Sequence, residues 1–521
     1  MKLLSLSLIP AFCFSCISVS NTNQAWPSAG GPDNTYQVVS PTQAPAQFSV
    51  ESGKNIAWKM DLPEGGQSGI TIVGEKIFLT VLEPSTKEKI NKNSTHILAL
   101  CIDSKSQKIL WQHLIKGSFG GPSLYGFSDS STPTPLADDE HVWFYNASGS
   151  IVCLDHSGKV IWQHDWEPIA KLDKVKFPFN KQYEPLMSGD FVFNVEPYYK
   201  KDDKRTYGWH YIFAYDKSTG KLAWISEDAL THYNTPYMSK TADGKDAILI
   251  GRGGHHKVPE DPRGYSLVDA QTGKSLWQYK TDKGMCLYQS LWNSELAIWM
   301  TYDHEIHILN SINGELVKKL DLVKKVDAHL YDEKTKKVIA HKDINLVEKT
   351  GVNVFPGWFS NILVGDKLYF MCFGPERYGP VKKAGPINSF ARVDIKTGKV
   401  EYLQCPTSIK NGNKVWFEDI KANTINNLGL DTAGDKRSKR NGWSWVFNGN
   451  PIAVNNKIYF TLQNGRVYVF DSNAETFDQS ALLSISDLGA AGKAWSLNTP
   501  SFANGKLYHR TLKQLICIEN K

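Results

Sequence analysis

The chain has 521 residues, of which 12% are aromatic, with 40 glycines, 24 prolines and a formal net charge of +6 at pH 7. So small a charge over this length does not predict nucleic-acid binding, which requires a basic stripe with interleaved stacking aromatic residues. The length also exceeds what one ordinary hydrophobic core supports, unless burial is distributed over repeated units.

The N-terminus has the pattern of an export signal. Lys2 precedes the short apolar run LLSLSLIPAFCF, and small residues at positions 18–20 suit a signal peptidase. We therefore expect residues 1–20 to be a signal peptide and the mature protein to be periplasmic or secreted. The neighbours of Cys16 fit a lipidation motif poorly, so a lipid anchor is the less favoured alternative. No later segment approaches the ~20 apolar residues of a transmembrane segment.

Residues 21–54 are rich in proline, serine, glycine and asparagine. This composition predicts an extended linker that lies along the surface without regular structure. We expect its removal to have little effect on stability, because an exposed segment has few contacts to lose.

A ten-residue pattern then recurs along the chain. YDKSTGKLAW ends at Trp224, and VDAQTGKSLW ends at Trp277. Related segments end at Trp58, Trp111 and Trp162, and weaker copies lie near Val317, Tyr402 and Leu482. Consecutive tryptophans of this series are 51 to 62 residues apart, which is close to the period of propellers and other repeat arrays.

Each copy of the pattern predicts a β-hairpin. Asp216 can accept hydrogen bonds from the backbone of the turn, and Gly220 and Gly273 can adopt the positive φ that a tight loop requires. A second recurring pattern, such as SNILVGDKLYFMCF, predicts two more strands before each of these hairpins. Two strands plus two strands make a four-stranded blade, and both patterns occur eight times.

The two series are out of phase at the ends of the chain. The first copy is an outer strand alone, and the last segment, KQLICIENK, is a third strand without a fourth. We expect residues 55–61 to supply that missing strand and close the ring, which removes an open sheet edge. The predicted fold is therefore all-β, an eight-bladed β-propeller of four-stranded antiparallel blades over residues 55–521.

The residues of the hairpin carry a family resemblance. Ala214, Asp216, Thr219, Gly220 and Trp224 resemble the repeat of the PQQ-like (quinoprotein) β-propellers, over roughly residues 57–519. The resemblance implies that each tryptophan docks between neighbouring blades. The repeats are similar to those of the bacterial outer-membrane protein assembly factor, which implies a binding scaffold. The alternative that it implies is a dehydrogenase that uses pyrroloquinoline quinone (PQQ) and Ca²⁺.

Candidate ligand-binding residues follow from the topology of a propeller, whose innermost strands begin at one mouth of the central channel. The positions just before these strands are Ser68, Ser131, Glu184, Asn234, Gln289, Trp358, Asn448 and Asn498. Most are polar, which suits a polar ligand or a channel that holds only water. The segment GRGGHHKVPEDPRG could place Arg252, His255 and His256 on a rim that contacts an acidic or sugar-like ligand or a metal, but a long hairpin loop without a ligand is the favoured explanation.

The sequence favours binding over catalysis. Dehydrogenases of the methanol type carry two adjacent cysteines over the quinone, and no two cysteines are neighbours here. Glu184 and Asn234 could supply two Ca²⁺ ligands, but no other channel position supplies a base. A glycosidase would require paired carboxylates, whereas Glu184 is the one acidic residue among the channel positions. We therefore predict no catalytic residue, metal or cofactor, and a monomer that binds a protein or a polysaccharide.

Overall fold

The structure is a computed structural model that describes residues 25–86, 96–117, 129–165, 183–198, 209–230, 234–252, 263–281, 289, 291–301, 304–351, 355–373, 388–434, 436–443 and 448–521. The predicted signal peptide lies outside these residues and stays a prediction. None of the helices in the described part is long and apolar enough to cross a membrane.

Three strands precede the first complete blade: β1 (Ala25–Trp26), β2 (Gln37–Val38) and β3 (Ile56–Asp61). Blade 1 contains β4 (Thr71–Val73), β5 (Lys76–Leu82), β6 (Ile97–Asp103) and β7 (Lys108–Ile115). Blade 2 contains β8 (Leu136–Ala137), β9 (His141–Asn146), β10 (Ser150–Asp155) and β11 (Val160–Asp165). Blade 3 contains β12 (Leu186–Ser188), β13 (Phe191–Tyr198), β14 (Trp209–Asp216) and β15 (Leu222–Ile225).

Blade 4 contains β16 (Tyr237–Lys240), β17 (Asp246–Arg252), β18 (Arg263–Asp269) and β19 (Ser275–Thr281). Blade 5 contains β20 (Leu291–Trp292), β21 (Leu296–Met300), β22 (Glu305–Asn310) and β23 (Leu316–Asp321). An insertion follows with β24 (Val326–Asp332), β25 (Lys337–Ile344) and the short helix α1 (Leu346–Thr350). Blade 6 contains β26 (Phe355–Val364), β27 (Lys367–Phe373), β28 (Ser389–Asp394) and β29 (Val400–Gln404).

A second insertion holds β30 (Ser408–Lys410), β31 (Asn413–Val415) and a 3₁₀ turn at Lys436–Lys439. Blade 7 contains β32 (Ile452–Val454), β33 (Lys457–Thr461), β34 (Arg466–Asp471) and β35 (Leu482–Asp487). Blade 8 contains β36 (Ser501–Ala503), β37 (Lys506–Arg510) and β38 (Gln514–Ile518), with β3 as its fourth strand. The predicted eight-bladed propeller of antiparallel blades is thus confirmed.

The ring closes as the sequence predicts. Strand β3 pairs antiparallel with β38, so that Ile56 lies opposite Ile518 and Asp61 lies opposite Gln514. The first regular strand of the propeller therefore completes the last blade. The N-terminal and C-terminal strands of the repeat array pair in one sheet, and this pairing closes the ring.

Tryptophan side chains of the outer strands contact the next blade. The indoles of Trp162, Trp224 and Trp277 cover the turn glycines of blades 3, 4 and 5, where an added Cβ would lie 2.4 to 2.6 Å from the ring. Those glycines have φ between 68° and 73°, so a side chain would be strained there in addition to colliding with the indole. The turn glycine of each of these blades and the tryptophan of the preceding blade therefore form one interblade contact.

The outer edges of the blades are irregular. In seven blades the outer strand has one extra residue opposite the third strand, namely Ala57, Leu110, Ile161, Ala223, Leu276, Val317 or Leu483. Such bulges twist an edge and prevent it from pairing with another strand. Strand β29 of blade 6 has no bulge, and there β24 of the insertion pairs with it in parallel. The regular edge is thus covered within the chain.

The described cysteines are buried free thiols: Cys101, Cys153, Cys372, Cys405 and Cys517. Burial raises the pKa of Cys101 and of Cys517 to about 12, so the reactive thiolate is scarce at neutral pH. These residues are packing elements of the blades.

The segment that precedes the ring differs from the sequence-based expectation. Within residues 21–54, the described part from residue 25 onward is not an irregular surface linker throughout, although residues 41–43 and 51–54 are exposed as expected. Strand β1 adds to the inner edge of blade 1, and β2 adds in parallel to the inner edge of blade 7. Trp26, Ala44 and Phe48 are fully buried. Residues 25–40 fill the central channel, where the inner strands leave unpaired backbone groups that a composition-based prediction does not take into account. Residues 46–50 lie instead along the outer strand β35 of blade 7.

Candidate ligand-binding site at the channel mouth

Residues at the starts of the inner strands meet around a small cavity. Its volume is about 40 Å³, and its polar lining includes Gln67, Thr132, Glu184, Thr235, Asn448 and Asn450. The residues come from blades 1, 2, 3, 4 and 7, as the propeller topology requires. A cavity of this size holds one or two water molecules, whereas pockets for organic ligands occupy about 300–1,000 Å³.

Most of the predicted mouth residues are buried and bind the backbone. The amide of Asn234 accepts a hydrogen bond from Gly251 N at 2.8 Å. Asn448 accepts one from Gln463 N at 2.9 Å, and Asn498 donates one to the carbonyl of Ser68 at 2.6 Å. These contacts fix the geometry of neighbouring strands, so the side chains are already engaged.

The two hydroxyl residues of the set serve the same purpose. Ser68 Oγ accepts a hydrogen bond from Thr80 N at 3.0 Å, and Ser131 Oγ accepts one from Gln67 N at 2.9 Å.

The amide of Gln289 is buried, and neither its nitrogen nor its oxygen forms a hydrogen bond in the structure. Strand β26 contains Trp358, but its side chain is outside the described residues, as are His255 and His256.

Arg252 lies inside the protein and not on a rim. Its side chain is 8% exposed, and Nη2 is 3.9 Å from Oδ1 of Asp228, which is equally buried. The Asp228 carboxylate also accepts hydrogen bonds from Ser266 and Ser275 at 2.6 Å. Arg252 is thus part of a buried polar network next to blade 4, and Asn234, which precedes strand β16, binds the neighbouring Gly251.

Glu184 is the ionisable side chain of the cavity lining. Its Oε2 accepts a hydrogen bond from Thr134 N at 2.8 Å, which joins blade 3 to blade 2. Burial raises the pKa of Glu184 to about 7, and the hydrogen bond from Thr134 opposes this shift only in part. The carboxyl group therefore changes its charge close to neutral pH.

Sequence reasoning missed two residues beside the mouth. The ring of Tyr36, 6% exposed, stacks on Tyr237 with centroids 6.1 Å apart. Burial and the nearby Glu184 carboxylate raise the pKa of the Tyr36 phenol well above its usual value. Its signal in the sequence was a pair of large aromatics, Trp26 and Tyr36, in an otherwise small and polar segment.

The second missed residue is Arg510 of blade 8, which is fully buried. Its Nη1 donates hydrogen bonds to the carbonyl of Thr80 at 2.7 Å and to Ser68 Oγ at 3.1 Å, across the junction with blade 1. Burial lowers the pKa of Arg510 to about 10, and the Asp129 carboxylate opposes that shift. No pattern in the sequence marked this arginine, because its neighbours come from the opposite end of the chain.

The residues around the channel do not fit PQQ in this arrangement. The tricyclic cofactor carries three carboxylates and exceeds a cavity of about 40 Å³ several-fold. Residues 28–36 occupy the space below the mouth, and Tyr36 lies beside Glu184. Among the described residues, no three His, Cys, Asp or Glu side chains are grouped as a metal site would require.

Comparisons with known proteins agree on the architecture. A family model described as outer membrane protein assembly factor BamB matches residues 97–286 and 147–326. A relative of that name from Francisella tularensis subsp. tularensis (strain SCHU S4 / Schu 4) is 22% identical over 191 residues, which is 36% of this chain and 39% of the relative. The chain is a PQQ-like β-propeller protein.

Solved structures show that the fold of this PQQ-like propeller is shared by enzymes. A europium-containing methanol dehydrogenase superposes with a TM-score of 0.52 at 11% identity, over 93% of this chain and 89% of the other. BamB from Moraxella catarrhalis gives a TM-score of 0.35 at 14% identity, over 74% of this chain and 95% of the other. At such identities the likeness describes the fold alone, so function must be argued from the site.

Proposed function

We propose that this protein is an exported binding or scaffold module that acts on another protein in the cell envelope and does not catalyse a reaction. The observation that carries the proposal is the channel, which residues 25–40 fill and whose mouth residues are engaged in hydrogen bonds to the backbone. The matched family model and relative are named as an outer membrane protein assembly factor, which supports a protein partner and a periplasmic location.

The exposed surface favours a protein partner over a polysaccharide. Sugar-binding surfaces present exposed aromatic platforms, whereas Phe417 is the only aromatic among the exposed large hydrophobic side chains of the described residues. The others are aliphatic and include Leu276 and Val317 at the bulges of blades 4 and 5, which are 50% and 60% exposed. Exposed aliphatic side chains suit the apolar part of a protein interface.

The experiment is site-specific photo-crosslinking in the native cells. A photoreactive amino acid at position 317 should crosslink reproducibly to one envelope protein, and the additional change Leu316→Asp should abolish the product. The same photoreactive residue at Lys342, on the edge of the insertion, is the matched control. No crosslinked partner from positions on any of the blades would contradict the proposal.

The alternative, a PQQ- and Ca²⁺-dependent dehydrogenase, rests on Glu184 and Asn234 at the starts of successive inner strands. Asn234 is already bonded to Gly251, and Tyr36 lies beside Glu184. Dye reduction over small alcohols and aldoses, with PQQ and Ca²⁺ supplied, tests this alternative. Turnover that Glu184→Gln abolishes would establish it.

A further inference from the structure

The segment in the channel enters and leaves at the same end of the channel, on the side of the inner turns and opposite the mouth where the inner strands begin. Ala25 pairs with Val73, next to the first inner turn, and Ser40 N donates to the side chain of Asn455 in the inner turn of blade 7. Thr42 then lies against Gly505 in the inner turn of blade 8. Both ends are therefore on the side of the inner turns, and the segment is a hairpin that can move in or out without threading a chain end.

The channel binds this hairpin largely through the backbone. Ala137 N donates to the carbonyl of Pro27, Ala453 N donates to that of Tyr36, and Asn455 N donates to that of Val38, each at 2.9 Å. These donors belong to the inner edges of blades 2 and 7. Addition of a strand to a free sheet edge is a general mode of peptide recognition, because backbone groups supply affinity for many sequences.

Two aromatic side chains anchor the hairpin. Trp26 is fully buried, and Tyr36 stacks on Tyr237, whose hydroxyl donates to the carbonyl of Thr35 at 3.1 Å. Large aromatic side chains in closed pockets are typical of the residues that dominate binding energy at interfaces. The hairpin thus has the features of a bound peptide: an extended backbone on sheet edges and two aromatic anchors.

The hairpin has two energetically unfavourable features in its bound conformation. Asn34 and Tyr36 have φ of 55° and 61°, which is strained for residues with a side chain and rare for a bulky aromatic. The indole nitrogen of Trp26 is buried without a hydrogen-bond partner. The channel therefore holds the hairpin at the expense of local strain and one unsatisfied donor.

We propose that the channel is a binding site for a polypeptide hairpin, and that residues 25–40 are its resident ligand, which can leave and rebind while the ring stays folded. The inference rests on the proposed function as a binding module and names its ligand class, a peptide loop with extended arms and aromatic anchors. The occupant of the present site is the chain's own segment.

The connection between the hairpin and the ring allows a direct test. Residues 51–54 are exposed, and Gly53 has open space around it. A protease recognition sequence inserted after Gly53 should be accepted and cleaved in the folded protein. After cleavage the segment is held by non-covalent contacts alone, which include hydrogen bonds from Tyr459 to the carbonyl of Pro45 at 2.9 Å and from Ser484 to that of Ala46 at 2.6 Å, so an added peptide can replace it.

The experiment measures exchange of the cleaved segment. A fluorescent synthetic peptide of residues 25–53 is added to the cleaved protein, and its uptake is followed by anisotropy while circular dichroism reports the state of the blades. We expect uptake with unchanged circular dichroism, and at least tenfold weaker uptake for peptides with Trp26→Ala or Tyr36→Ala. A peptide of scrambled sequence should not bind.

Two results would overturn the inference. One is uptake only at temperatures where the blades unfold, and the other is loss of the blade signal upon cleavage, because either shows that the hairpin is an inseparable part of the ring. Neither result contradicts the proposed function, because crosslinking from position 317 of the uncleaved protein tests the proposed protein partner separately. Exchange without any crosslinked partner would support the channel site and contradict the envelope partner.

Discussion

Replacement of Trp277 and of Trp224 by phenylalanine should have clearly different effects, although the two residues occupy equivalent positions in the repeat. Trp277 is 7% exposed, and its Nε1 donates to the carbonyl of Ser311 in the next blade at 2.7 Å. The Nε1 of Trp224 is buried and has no hydrogen-bond partner. Phenylalanine at 277 therefore loses a hydrogen bond and leaves a carbonyl unsatisfied, whereas phenylalanine at 224 removes an unsatisfied donor.

The magnitude follows from these contacts. A lost hydrogen bond that leaves a buried group unpaired lowers the free energy of unfolding by about 1–2 kcal/mol. Both variants lose a similar buried area of the aromatic ring, so the hydrogen bond accounts for the difference between them. The difference corresponds to roughly a 5- to 30-fold change in the equilibrium for local opening at the junction of blades 4 and 5. Substitution by alanine should destabilise both junctions more, by about 3–5 kcal/mol for the fully buried Trp277.

Hydrogen–deuterium exchange is the suitable assay, because repeat arrays can unfold in parts and a single transition temperature hides a local effect. Peptides that cover residues 308–320 should exchange faster in Trp277→Phe, while peptides over residues 266–281 should change less than threefold in Trp224→Phe. Equal effects of the two substitutions at their junctions would refute the role assigned to the Ser311 hydrogen bond.

Three other predictions concern closure, strain and charge. Deletion of residues 55–61 exposes an edge of blade 8. Deletion of residues 25–48 empties the channel and also removes contacts to the outer strand of blade 7. Both deletions should lower the melting temperature, and an unchanged value in either variant would contradict the contacts assigned to the deleted segment. Gln107→Gly should stabilise by about 1 kcal/mol in urea unfolding, because Gln107 has φ of 58° where other blades have glycine; Gln107→Ala is the control and should not stabilise. Since the folded-state pKa of Glu184 is raised from 4.5 to about 7, its stabilising effect is complete below pH 4.5 and is lost as pH rises through 7. Glu184→Gln should thus be more stable than the parent at pH 8, by at most about 3 kcal/mol, and no more stable at pH 4; equal differences at both pH values would contradict the shift.

The sequence predicted the blades because their signal is periodic and local. The turn with a glycine before the outer strand, the alternation of the strands and the spacing of tryptophans such as Trp224 and Trp277 each follow from backbone geometry and recur along the chain. The insertion after blade 5 escaped prediction because β24 and β25 carry no copy of the pattern. Strand β24 covers the outer edge of β29, which has no bulge. The absence of that bulge follows only from the pairing of β28 with β29 in the structure.

The sequence predicted where the candidate residues lie in the fold, but it did not predict what their side chains contact. Counting back from each inner strand located Glu184, Asn234 and Asn448 at the mouth, because strand direction determines where the residues lie. Whether those side chains face a ligand or bind the backbone depends on contacts between blades, which the sequence of one blade does not contain. The position of residues 25–40 in the channel was missed because a segment rich in glycine and proline is predicted to be exposed unless its partners, the inner strand edges, are known.

A titration of the purified protein with PQQ in the presence of Ca²⁺, followed by calorimetry and by dye-linked turnover, tests whether the propeller is a binding module or a quinoprotein enzyme. We predict no binding heat and no turnover, because the hairpin fills the channel and the cavity at its mouth is about 40 Å³. Stoichiometric binding of PQQ with turnover that Glu184→Gln abolishes would contradict it.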